Sequence, residues 1–168
     1  MIRVAQPKNK RMFIIAVAMV IAGLGFLGVG IYQVHSANTD VNSTQPNFNP
    51  VLPQGKTIAN LGGWQKLTTP NNDVFYVYVD TINGVTVNVS QQLLPGKFKG
   101  DVSNKMLEMA RAYNANVKLD AGETKVYVGT SAKGPQSVLF TKNDVLVLIK
   151  SWSTIPDADW VAYVNSLT

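Results

Sequence analysis

Cysteine is absent from the whole chain of 168 residues. That single absence removes disulfides, thiolate metal sites and cysteine nucleophiles together. It also argues against a small eukaryotic secreted domain, a class that commonly needs disulfides. Histidine occurs once, as His35, and no orienting group lies near it in sequence, as a general base would need. No HExxH, EF-hand loop or facial-triad spacing occurs. The carboxylates Asp73, Asp80, Asp101, Glu108, Asp120, Glu123, Asp144, Asp157 and Asp159 are scattered. Their spacing defines no acid/base pair. We therefore expect no catalytic residue, no metal site and no cofactor.

Charge is sparse and unevenly placed. The formal net charge is +5. Arg3, Lys8, Lys10 and Arg11 precede Met12 with no acidic residue among them. From His35 onward, 11 Lys/Arg stand against 10 Asp/Glu, leaving +1. The basicity thus belongs to the N-terminal tip. A nucleic-acid-binding domain needs a basic face of its own, and no nucleic-acid partner is expected.

What the sequence does hold is one long apolar run. Met12 to Tyr32 carries no charge. As a helix it spans about 31 Å, matching a hydrocarbon core of about 30 Å. A helix satisfies its own backbone hydrogen bonds and so can cross lipid. We read Met12 to Val34 as a transmembrane helix. The basic cluster before it predicts a cytoplasmic N-terminus and a C-terminal domain on the outer face. The rival is a cleaved signal peptide, with Val34-His35-Ser36 preceding Ala37. The run exceeds the usual signal-peptide core of about 7–15 residues, which favours an uncleaved signal-anchor.

Behind the run lies "HSANTDVNSTQPNFNPVLP", rich in Asn, Ser, Thr and Pro. Such a stretch reads as a flexible linker over 35–53. The expected organisation is a cytoplasmic basic tip at 1–11, the membrane helix at 12–34, the linker at 35–53 and an extracytoplasmic domain at 54–168.

The domain reads as α+β. "VFYVYVD" from Val74 is β-branched and aromatic, and Asn83-Gly84 then predicts a hairpin turn into the alternating "VTVNVSQQ". Val102, Met106, Met109, Ala110 and Tyr113 share a helical face, with Asp101 or Ser103 available as a cap. Three or four short strands follow, around 117–119, 125–129, 137–141 and 145–151. "VLVLIK" is apolar nearly throughout, which predicts cover on both faces. Pro156 starts a last helix with Asp157 and Asp159 at its positive end. This order predicts an antiparallel sheet of five to six strands with two packed helices.

Two groups of residues are site-like. The loop "GTSAKGPQS" holds Ser131, Lys133 and Gln136 and is the most site-like stretch. Its spacing matches neither a P-loop nor an SxxK acylase, so it is expected to be a solvated hairpin connection or a binding loop. The aromatics Trp64, Phe75, Tyr76, Tyr78, Trp152 and Trp160 either line a groove or fill the core. Tyr76 and Tyr78 share one strand face, opposite Phe75 and Val77, and one of these faces is expected to look outward or toward a helix.

Two stretches, "VYVDTINGVTVNVSQQLLPGKF" and "GETKVYVGTSAKGPQSVLFTKNDVLVLIKSWSTIPDADWVAYVNSL", carry a resemblance. Over Leu52 to Leu167 the chain resembles uncharacterised, single-pass membrane proteins of Saccharibacteria-like candidate-phylum bacteria. Its ending is loosely similar to the unknown-function ectodomain of Gram-positive sporulation and anti-sigma membrane proteins. With 11 residues ahead of the apolar run, no cytoplasmic sigma-binding domain is expected. The resemblance implies an envelope protein and carries over no site residues. The expected function is a non-enzymatic binding domain held at the bacterial cell membrane, its partners the lipid bilayer and an envelope protein or wall component. A small envelope hydrolase or lipid-handling enzyme, and a sensor acting through a membrane partner, are the alternatives. The oligomeric state does not follow from the sequence.

Overall fold

The computed structural model describes residues 45–69, 72–131 and 134–168. The basic tip, the membrane segment Met12 to Val34, His35 and most of the linker lie outside the described residues. No helix among the described residues is long and apolar enough to cross a membrane. The chain divides into two compact units, one of Met1–Thr39 with Thr68–Asp73, the other of Asp40–Leu67 with Val74–Thr168. In the first, Thr69 and Asp73 close a turn in which Asn72 sits at φ 64°.

The domain is α+β. Seven strands run β1 (Gln65–Thr68), β2 (Val74–Ile82), β3 (Val85–Leu93), β4 (Val117–Ala121), β5 (Thr124–Ser131), β6 (Gly134–Lys142) and β7 (Val145–Ser151). Two α-helices are α1 (Val102–Ala112) and α2 (Asp157–Ser166). The strands form one sheet in the order β1-β2-β3-β7-β6-β5-β4, with antiparallel pairing from β2 through to β4. Seven strands replace the expected five to six. The one not anticipated is β1, whose four residues "QKLT" are too few and too polar to show a strand pattern.

Turn chemistry fixes the registers. Asn83 and Gly84, both at positive φ, join Ile82 to Val85. Asn143 and Asp144, also both at positive φ, join Lys142 to Val145 in the same way. Positive φ at both central residues gives the turn whose twist suits a two-residue hairpin. Strand β7 is central in the sheet and buried along its whole length, as its continuous apolar run predicts.

Each face carries a helix. On one, Tyr78, Val89, Val128, Phe140, Val147 and Ile149 pack with Trp160, Tyr163 and Val164 of α2. On the other, the chain leaving α1 closes onto β5. A Cβ on Gly129 would fall on the Cα of Ala115 and the carbonyl of Asn114, so only glycine permits that approach. Met106, Met109 and Ala110 of α1 are buried. Asp101 occupies the N-cap of α1 without a side-chain cap hydrogen bond, so its expected capping role is not realised.

The packed chain begins ahead of residue 54. Phe48 packs at the edge of the core and Val51 lies within it. Leu52 and Thr168 exchange main-chain hydrogen bonds of 3.1 and 2.9 Å, and the Gln54 N–H donates to the Ser166 carbonyl at 2.7 Å. The last residues of the expected linker are therefore tied to the C-terminal end of the domain. Neither face of β2 looks outward: Phe75, Tyr76, Val77 and Tyr78 are all buried.

Candidate functional site

A cleft of about 580 Å³ opens at one end of the sheet. Three parts of the chain converge on it. The first turns of α1 supply Val102, Ser103 and Met106; the β4–β5 turn supplies Gly122, Glu123, Thr124 and Lys125; the β6–β7 turn supplies Thr141, Lys142 and Asn143. Asn165, near the end of α2, and the buried Tyr127 complete the lining. Hairpin turns and helix ends leave side chains free to face a ligand while the sheet fixes their spacing. Gly122 at φ 60° makes the β4–β5 turn tight and leaves Asn165 Oδ1 close beside it.

The cleft's chemistry is that of hydrogen bonding to polar ligands. Ser103, Thr124, Thr141, Asn143 and Asn165 offer neutral donors and acceptors. Both lysines are held from within the protein. Lys142 Nζ donates to the Val164 carbonyl at 2.9 Å, and burial holds its ammonium below the usual lysine pKa. Lys125 Nζ donates to Asp120 Oδ1 at 2.8 Å, and this bond lowers the Asp120 pKa. Glu123 is the carboxylate that lines the space. It is exposed on its turn.

A second polar cluster lies inside the domain. Asp80 Oδ1 accepts from Lys56 Nζ at 2.5 Å and from the Thr81 N–H at 2.8 Å. Its Oδ2 accepts from the Tyr163 hydroxyl at 3.2 Å. The Tyr78 hydroxyl lies 3.5 Å from both the Tyr163 hydroxyl and the Val51 carbonyl. Burial raises the pKa of Tyr78 and of Tyr163, with the Asp80 charge adding to both shifts. Three donors on one buried carboxylate satisfy it in place. The cluster braces β2, α2 and the lead-in segment against one another.

The residues singled out in the sequence are dispersed. Gln136 is committed to structure: its Oε1 accepts from the Ile155 N–H at 2.6 Å and from Trp160 Nε1 at 3.2 Å, while its Nε2 donates to the Ile155 carbonyl. It ties β6 to the start of α2 and does not face the cleft. Lys133 and the side chain of Ser131 lie outside the described part. Asp80 and Glu123 fall in different places, one in the interior cluster and one at the cleft. The aromatics of the lead-in form an interior group, with Trp64 edge-on to Tyr76 and Tyr78 and Phe48 edge-on to Tyr76. Trp152 remains exposed, under the Lys150 ammonium at 4.4 Å. Among the described residues no three of His, Asp and Glu gather as a metal site.

The cleft was not foreseen. Its lining comes from separate stretches whose only sequence signals are a turn glycine at Gly122, the turn dipeptide Asn143-Asp144 and a helix start, each sufficiently explained by local structure. No protein-family model, curated protein or solved structure matches this chain.

Proposed function

We propose that this chain is a single-pass membrane protein whose folded domain works outside the cytoplasm as a binding domain. Its ligand is a polar wall component, seated in the cleft between α1 and the β4–β5 and β6–β7 turns. The charge-free run from Met12 to Tyr32 behind a basic tip supports the anchorage and orientation. The observation that carries the binding reading is the cleft's set of neutral hydroxyls and amides, presented on turns at one rim of a rigid sheet. Its volume is in the range that small ligands occupy. Hydroxyl- and amide-rich ligands such as glycan and peptide fragments are recognised by such groups, each of which both donates and accepts.

The test is a titration of the isotope-labelled full chain in detergent micelles with wall fragments released by a muramidase. The reading expects amide shifts to concentrate at Gly122, Thr124, Asn143 and Asn165, and to disappear in a Glu123→Trp variant that fills the cleft from its exposed turn. Shifts confined to other surfaces, or none at millimolar fragment, would remove the support for this site.

A further inference from the structure

Strand β4 is the last strand of the sheet, with α2 packed against it. It pairs with β5 on one side. Among the described residues, no main-chain group outside the sheet bonds to Val117–Ala121. Val117, Lys118 and Asp120 are exposed, Val117 at 45%. An open strand edge is a template for another strand. At the opposite margin, β1 offers four residues.

The order of residues in β4 selects a partner. The β4–β5 register places Val117, Leu119 and Ala121 on one face, opposite Val128, Val126 and Thr124. Lys118 and Asp120 lie on the other, opposite Tyr127 and Lys125. Antiparallel pairing of β4 with a copy of itself, centred on Leu119, sets Lys118 against Asp120 of the second copy, twice by symmetry. It also sets Leu119 against Leu119 and the exposed Val117 against Ala121. Moving the centre to Lys118 would bring two lysines together, and moving it to Asp120 would bring two aspartates together. A half-step shift would put apolar against charged faces. One register alone matches both charge and face.

We propose that the domain self-associates through β4, joining two seven-stranded sheets about a twofold axis at Leu119. This is an isologous contact, in which one patch meets its own copy. It borders the cleft, sharing Ala121 with the lining, and Asp120 also holds the cleft's Lys125. Five residues of strand span about 17 Å, and so short a seam gives a modest affinity that confinement of both copies to one surface strengthens.

Two charge variants test it. In Lys118→Glu, carboxylates face each other at both pairs; in Asp120→Lys, ammonium groups do. Like charges directly opposite are unfavourable across strands, so each variant alone should dimerise at least roughly tenfold more weakly than the parent. Mixed one to one, the two are complementary again. The measurement is co-purification of differently tagged full-length chains in detergent, with light scattering for mass. The inference expects dimers of the parent, loss of self-capture in each variant and capture of one variant by the other. A parent that is monomeric at every concentration would overturn it. So would dimers indifferent to both substitutions, or variants that fail to capture each other while retaining the parent's circular dichroism spectrum.

Discussion

The side-chain amide of Gln91 hydrogen-bonds both main-chain groups of Val51, accepting from its N–H at 3.0 Å and donating to its carbonyl at 2.6 Å. Both residues are fully buried. A side chain in the middle of β3 thus does what a neighbouring strand would do for the segment that leads into the domain. Gln91→Ala leaves the buried Val51 N–H unpaired and its carbonyl with only the Tyr78 hydroxyl at 3.5 Å, and an unpaired buried group costs about 1–3 kcal/mol. The expected result is a fall of about 1–3 kcal/mol in unfolding free energy, read from the urea midpoint. An unchanged midpoint would show that this tie contributes nothing.

Gly129 makes a second prediction. It stands where the chain after α1 crosses β5, with the backbone of Asn114 and Ala115 against it. Backbone cannot swing aside as a flexible side chain can. Gly129→Ala is expected to destabilise by about 1–3 kcal/mol or more, whereas Gly96→Ala, with open space around its Cα, should change little. Equal effects at the two positions would contradict the packing described.

Alkaline pH tests the buried hydroxyls. Burial raises the pKa of Tyr78, Tyr113 and Tyr163 above the tyrosine value of 10.0. A raised folded-state pKa means that the native protein holds protons which the unfolded chain releases. The contribution of these groups is whole below pH about 10 and declines as pH rises further. Tyrosinate absorbance should therefore include a component that appears only as circular dichroism reports unfolding. Smooth ionisation of every tyrosine in the intact fold would refute this.

Much of the fold is legible in the sequence because its signals are local. Asn83-Gly84 and Asn143-Asp144 are hairpin turns since their residues tolerate positive φ. The stripe Met106, Met109, Ala110 marks the inner face of α1, and Trp160 with Val164 that of α2. Features set by distant partners are not legible. Val51 to Pro53 read as linker because their bonds run to Gln91 and to 166–168, where main-chain groups leave no sequence trace. Tyr76 and Tyr78 alternate with Phe75 and Val77 as on a one-sided strand, yet both faces are covered. Gln136 looks like a loop residue awaiting a ligand, while its partners, Ile155 and Trp160, lie about one hairpin further along the chain. The cleft is the extreme case, since no spacing links Ser103 to Glu123, Asn143 and Asn165.

The central claim, a binding domain held outside the cytoplasm by the segment Met12 to Val34, is tested most directly by topology and size together. A reporter is fused after Thr168, and the membrane-bound product is sized before and after protease is added from outside. The expected product is full-length and membrane-bound, with its reporter cut from the outer face. A shortened soluble product would replace the anchor with a cleaved leader, and a reporter protected from protease would contradict the orientation on which the proposed function rests.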